Sequence, residues 1–128
     1  MQILNGLKQL FGFSRPALRA PVGILIVDDS SGSRGYTTKL VRSFMERIGI
    51  HDYIMDVYGS YEEYIQGNGD RYDVAFVDWN LGSAAMTNGD RVVESLLENS
   101  KCSNIVIFSG MGDDSPIIAK FAIRHNIG

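Results

Sequence analysis

The sequence has very little cysteine and no long apolar segment. Cys102 is the single cysteine in 128 residues, which excludes an intrachain disulfide and favours a reducing compartment, so we predict a cytoplasmic protein. No run of 18 or more consecutive apolar residues occurs, so we predict no membrane span. Polar residues interrupt the first 21 residues before a secretory core could form, so we predict no signal peptide.

Positive charge is scarce over most of the chain. The formal net charge is −3, yet residues 1–20 contain three basic residues and no acid, which leaves −6 for the remainder. An acidic body disfavours nucleic acid as a direct partner. The two histidines, His51 and His125, are isolated in sequence from the acidic residues discussed below, and we interpret both as surface residues.

Residues 1–20 form a segment distinct from the rest of the chain. Five apolar residues recur there at helical spacing, namely Ile3, Leu4, Leu7, Leu10 and Phe11, and basic residues follow. Two interpretations stay open: a loosely ordered tail, or an amphipathic segment that covers a helix face of the domain. Residues 21–128 show no internal repeat and have the size of one domain.

From Val22 onward, short apolar runs alternate with segments of helical period, which predicts an α/β fold with a parallel sheet. Strands are predicted at residues 22–28, 53–59, 72–78 and 104–109, and helices at 32–48, 60–67, 89–99 and from 115 onward. The mixed polarity of the second strand favours a position at the sheet edge. Gly49 is expected to close the first helix, and Ser60 with Glu63 to form a capping box.

Acidic or hydroxyl residues stand at the ends of three predicted strands. Asp28 and Asp29 follow the first strand, Asp78 ends the third and Ser109 ends the fourth. In doubly wound sheets, ligands bind outside the carboxyl ends of the strands. Three convergent carboxylates repel one another unless a cation joins them, and oxygen ligands without His or Cys suit Mg²⁺ best. A simpler alternative is that Asp28 and Asp29 only cap the first helix and Ser109 only ends a strand.

A metal at this place would allow a carboxylate to attack a phosphoryl group. An aspartyl phosphate would be the product, and the hydroxyl of Ser109 would donate a hydrogen bond to a phosphoryl oxygen. A phosphatase of the haloacid-dehalogenase type, with Asp78 as its nucleophile, is a weaker alternative, because that chemistry needs an acid two residues after the nucleophile, where this chain has Asn80.

Three stretches of the chain carry a family resemblance. ILIVDDSS, VAFVDWN and IVIFSG resemble the signature strand ends of response-regulator receiver domains, in the same order, over about residues 22–127. The resemblance implies a flavodoxin-like parallel sheet of order 2-1-3-4. It also implies four roles: the acidic pair Asp28 and Asp29 for Mg²⁺, Asp78 as phosphoryl acceptor and metal ligand, the backbone carbonyl of Asn80 as a further metal ligand, and Ser109 as the switch hydroxyl.

The function implied by the resemblance is that of a phosphoryl-accepting module in a two-component phosphorelay. The donor would be a phosphohistidine on a histidine kinase or a histidine phosphotransfer protein, and phosphorylation at Asp78 would depend on Mg²⁺. No enzyme acting on a separate substrate is predicted, and any catalysis would concern the module's own phosphorylation and dephosphorylation.

The largest departure from the family concerns the end of the chain. Receivers continue into a fifth strand bearing a lysine and a fifth helix, and the expectation from 128 residues is a domain without them. Residues 104–109 would then be an apolar edge strand, which predicts a possible homo-oligomer through that strand. The alternative function is a degenerate or truncated receiver that serves as a non-switching interaction or oligomerisation module. A natural continuation that completes the fold is equally compatible with the sequence.

The loop after Asp78 also departs from the family. It is longer than usual, and Gly82 stands where the family has proline. Altered access to the acceptor and a partner-specific surface both stay open as explanations.

Overall fold

The structure is a computed structural model that describes residues 21–67, 71–79, 81, 89–99, 101–102 and 104–108. Strands and helices alternate along these residues: β1 (Val22–Val27), α1 (Ser31–Arg47), β2 (Tyr53–Tyr58), α2 (Tyr61–Gly67), β3 (Val74–Asp78), α3 (Gly89–Glu98) and β4 (Ile105–Phe108). The predicted N-terminal segment, the helix predicted from residue 115, and the question of a fifth strand lie outside the described residues. None of the helices in the described part is long and apolar enough to cross a membrane.

The four strands pair in parallel in the order β2-β1-β3-β4. This confirms the α/β class and the 2-1-3-4 order, and the arrangement is consistent with a flavodoxin-like fold. β1 and β3 are the central strands, and their nearly unbroken apolar sequences, VGILIV and VAFVD, suit strands covered on both faces. β2 lies at the edge of the described sheet, as predicted, with Ile54 54 % exposed.

Alternate residues of the central strands supply two apolar layers, one on each side of the sheet. On one side the strand residues pack against α1, in the cluster Val22, Ile24, Ile26, Val41, Phe44, Met45, Val74 and Phe76. On the other side Leu25, Val27, Ala75 and Val77 pack with residues of α2 and α3, among them Tyr64, Val92, Val93 and Leu96. Each large apolar side chain buried in this way contributes about 1.5–3 kcal/mol, so the two layers stabilise the sheet whose strand ends carry the acidic residues.

Helix α1 begins and ends with standard caps. Ser30 is its N-cap, and the side chain of Ser30 accepts a hydrogen bond from the backbone N–H of Ser33 at 3.3 Å. Gly49 has φ of 78°, and the amides of Gly49 and Ile50 donate to the carbonyls of Glu46 and Met45, the two bonds of a Schellman motif. The predicted closing role of Gly49 is therefore confirmed.

Helix α2 carries the predicted capping box in a shifted form. The amide of Glu63 donates to Oγ of Ser60 at 3.1 Å. The reciprocal bond comes from the amide of Gly59, one residue before the cap, which donates to Oε1 of Glu63 at 3.1 Å. Both bonds satisfy donors at the start of the helix, so the physical role of the pattern is unchanged.

Strand β3 begins two residues later than predicted, at Val74 instead of Tyr72. Asp73 explains the difference, because its Oδ2 accepts the hydrogen bond from the amide of Gly23 at 2.8 Å. A side-chain oxygen thus replaces a backbone carbonyl at this point. The regular pairing of β1 with β3 starts with Ile24 and Val74.

Candidate functional site

The site lies where the chain changes direction across the sheet. From β1 the chain crosses to β2 on one side, and it returns to form β3 on the other side of β1. The carboxyl ends of β1 and β3 therefore border the crevice in which ligands bind in open α/β sheets. Asp28 follows β1 directly, and Asp78 is the last residue of β3.

Three carboxylates converge in this crevice. One side-chain oxygen from each of Asp28, Asp29 and Asp78 lies within 4.8 Å of the other two. Asp28 is 1 % exposed and Asp78 is 8 % exposed, whereas Asp29 is open to solvent. The predicted meeting of acidic side chains from two strand ends is thus present. Ser109 and Asn80 lie outside the described residues, and their roles stay predictions.

The donor set fits a small, hard cation. Magnesium binds oxygen at about 2.0–2.1 Å, so two oxygens on opposite sides of the ion are about 4.2 Å apart. Neighbouring ligands of an octahedral ion are only about 2.9 Å apart, so at least two of the three oxygen pairs, which lie within 4.8 Å, would draw together by up to about 1.9 Å when the ion binds. The group contains only carboxylates, and the exposed side of Asp29 leaves room for the waters that magnesium retains.

Asp28 is held by the first turn of α1. Its Oδ1 accepts a hydrogen bond from the amide of Ser30 at 3.0 Å, and its Oδ2 accepts one from the hydroxyl of Ser33. Nη1 of Arg34 donates to the backbone carbonyl of Asp28 at 2.8 Å. The simpler alternative, in which Asp28 and Asp29 cap the first helix, is therefore partly right. The N-cap is Ser30, but the carboxylate of Asp28 does accept hydrogen bonds from the first turn. Each carboxylate oxygen has two lone pairs, so these bonds leave capacity for a metal.

Helix α3 begins in direct contact with the backbone of β3. The amide of Gly89 donates to the carbonyl of Trp79 at 2.8 Å. A Cβ atom at position 89 would overlap the carbonyl oxygen of Asp78 and lie 3.0 Å from Cα of Trp79. Only glycine fits here without displacing the backbone of Asp78.

Ser33, Arg34 and Gly89 belong to the site although the sequence interpretation does not include them. Ser33 and Arg34 lie five and six residues after Asp28, in a stretch whose glycines indicate only a weak helix start. The pattern around Gly89 indicates the beginning of a helix and nothing more. A hydroxyl one helical turn beyond an N-cap is the one local signal that draws attention to Ser33.

Trp79 connects the site to the core and to β4. It is 7 % exposed within the apolar layer that includes α3. Its amide donates to the carbonyl of Phe108 at 2.8 Å, and Phe108 pairs with Asp78 at the end of β4. As the only tryptophan in the chain, Trp79 is a built-in fluorescent probe next to Asp78.

Comparisons of the chain with protein-family models, with curated proteins and with solved structures found no match. The features of the chain that bear on its function are therefore the geometry of the carboxylates and the motifs in the sequence.

Proposed function

We propose that this chain is a receiver module that accepts a phosphoryl group on Asp78 with the help of Mg²⁺. The observation that carries the proposal is the convergence of Asp28, Asp29 and Asp78 at the carboxyl ends of β1 and β3. An oxygen-only cluster with two nearly buried carboxylates is costly without a cation, which favours a site built for one.

The three acidic residues divide two roles between them in the proposal. Asp28 and Asp29 hold the metal, and a carboxylate oxygen of Asp78 attacks the phosphorus of a phosphohistidine. The new bond joins that oxygen to phosphorus, the phosphorus–nitrogen bond breaks, and the departing imidazole takes up a proton. When bound, Mg²⁺ would offset negative charge on the phosphoryl oxygens. The sequence resemblance adds Ser109 as the switch hydroxyl and the Asn80 carbonyl as a metal ligand.

The proposal implies a protein partner and a location. The phosphohistidine would belong to a histidine kinase or a histidine phosphotransfer protein, as the sequence resemblance implies. The acidic charge beyond residue 20 argues against direct binding to nucleic acid. A cytoplasmic location agrees with the single buried cysteine.

Phosphorylation by a small donor tests the proposal directly. The protein is incubated with Mg²⁺ and acetyl phosphate or phosphoramidate, and intact mass is measured. We expect one added phosphoryl group, removed by hydroxylamine as an acyl phosphate should be, and no addition when EDTA replaces Mg²⁺. Asp78→Asn should abolish the addition, while Asp52→Asn, which removes an exposed acid at the opposite end of the sheet, should not. A wild-type protein that never gains this mass would overturn the proposal.

A non-switching interaction module is the second candidate, favoured by the position of β4. This strand is one of the two edge strands in the described part of the sheet, opposite β2, and its Val106 and Phe108 are only half-buried. Such an edge can pair with a strand of a second copy. Mg²⁺ titration followed by Trp79 fluorescence, with sedimentation in parallel, separates the candidates. A dimer without any response at millimolar Mg²⁺ would support the second one.

A further inference from the structure

We infer that Ser33 is a positioning residue that sets the affinity of the site for Mg²⁺ by holding the carboxylate of Asp28. This inference rests on the proposed function, because it concerns the same metal. The observation behind it is the pair of hydrogen bonds that reach the two oxygens of Asp28 from one turn of α1.

The two bonds fix the orientation of the carboxylate. The amide of Ser30 binds Oδ1 and the hydroxyl of Ser33 binds Oδ2, so rotation of the group about its terminal bond would break at least one of them. Asp28 is 1 % exposed, and water has little opportunity to replace a lost donor. A buried anion also needs such donors, because hydrogen bonds to charged groups are the stronger ones.

Ser33 is the component of this arrangement that a side-chain change can remove. Its hydroxyl donates to the carboxylate of Asp28 from a side chain, while the bond from Ser30 comes from the backbone. Ser33 is itself fixed, because its amide donates to the N-cap oxygen of Ser30. The N-cap hydrogen bond therefore positions Ser33, and the hydroxyl of Ser33 positions the carboxylate of Asp28.

The consequence is a dependence of metal affinity on a residue that does not bind the metal. Partners that orient a metal-binding carboxylate typically change affinity by about 10- to 100-fold when they are removed. Without the Ser33 hydroxyl, Asp28 gains rotational freedom next to two like charges and must be ordered again when the cation binds. We therefore expect Mg²⁺ to bind at least about 10-fold more weakly to Ser33→Ala.

Calorimetric titration of the full chain with Mg²⁺ tests the inference, using wild type and two pairs of variants. Ser33→Ala is compared with Ser31→Ala, an identical change at an exposed position of the same turn. Ser33→Thr is compared with Ser33→Val, because valine has the shape of threonine but lacks the hydroxyl. We expect Ser31→Ala and Ser33→Thr to bind like wild type, and Ser33→Ala and Ser33→Val to bind at least about 10-fold more weakly.

Unfolding in urea without metal supplies the readout that separates positioning from general stability. If Ser33 only stabilises the helix, the variants lose stability while the Kd for Mg²⁺ stays that of wild type, and the inference is overturned. Equal affinities of Ser33→Thr and Ser33→Val overturn it also, even if Ser33→Ala does not fold. Both results leave the proposed function intact when wild type binds Mg²⁺. A wild type that does not bind Mg²⁺ overturns the proposed function and this inference together.

Discussion

The phenolic hydroxyl of Tyr72 donates a hydrogen bond of 2.7 Å to Oδ2 of Asp56. Asp56 belongs to β2 and Tyr72 precedes β3, so the bond joins the segments on either side of β1. Burial, and then the hydrogen bond with Asp56, raises the pKa of Tyr72 well above its usual range. The folded protein therefore holds the neutral phenol.

Removing this hydroxyl should lower stability in a pH-dependent way. Tyr72→Phe should lose about 1–2 kcal/mol of unfolding free energy at neutral pH, because a partly buried hydrogen bond to a carboxylate is lost. The raised pKa in the folded state means that this contribution is complete below about pH 10 and declines as the pH rises further, since the unfolded phenol ionises first. The difference from wild type should therefore shrink above about pH 10 in urea titrations.

Tyr53→Phe is the matched control for that series. Tyr53 lies in β2 and packs against the α1 side of the sheet, with no hydrogen bond of its hydroxyl in the described structure. Removing the Tyr53 hydroxyl should change the free energy of unfolding little at any pH. A Tyr72→Phe deficit that stays constant through the alkaline range would contradict the explanation.

Cys102 should be chemically inert in the folded protein. Its side chain is 5 % exposed, and burial raises the pKa of its thiol to about 12. Only the thiolate reacts, so modification by a disulfide reagent at pH 8 should be at least about a hundredfold slower in buffer than in urea. Glutathione in the same two solvents corrects for the effect of urea on the reagent. Equal rates for folded and unfolded protein would show that the thiol is accessible.

Two glycines should respond to alanine in opposite directions. Gly89→Ala forces a Cβ against the backbone of Asp78 and Trp79, so we expect a loss of about 1–3 kcal/mol. Gly35 lies in α1, where an added Cβ would meet nothing within 4 Å, so Gly35→Ala should gain about 0.5–1 kcal/mol. Urea unfolding followed by Trp79 fluorescence measures both. A Gly89→Ala protein as stable as wild type would mean that α3 is not anchored as described.

Removing one negative charge from the site should stabilise the metal-free protein. Asp29→Asn relieves repulsion on Asp28 and Asp78, and because Asp29 is exposed we expect a gain of only about 1 kcal/mol. The same variant should lose much of the stabilisation that Mg²⁺ gives to wild type. Asp52→Asn changes the net charge equally at the other end of the sheet and should show neither effect. Thermal unfolding in EDTA and in Mg²⁺ gives both comparisons.

The sequence predicted those parts of the structure that depend on local pattern. β1 and β3 follow from their apolar runs, and the close of α1 follows from Gly49, which takes the left-handed conformation that glycine favours. The meeting of Asp28 with Asp78 was predictable because parallel strands end at the same edge of a sheet.

Contacts between elements that are separate in sequence were not predictable in the same way. The overlap of position 89 with Asp78 depends on how α3 is seated on β3. The late start of β3 depends on the Asp73 side chain reaching Gly23. Local periodicity contains no information about either distance. The Ser33 contact with Asp28 differs, because it is local in sequence and a hydroxyl one turn beyond an N-cap is a weak indication of it.

The bare position 89 also has a mechanical consequence. Because position 89 has no side chain, the last peptide of β3 and the first turn of α3 are in direct backbone contact, and the Gly89–Trp79 hydrogen bond joins them. Two residues further along α3, the guanidinium of Arg91 stacks over the ring of Tyr61 in α2, 5.4 Å from its centroid. A displacement of the backbone at Asp78 would therefore press on the first turn of α3, the turn that also holds Arg91 over Tyr61.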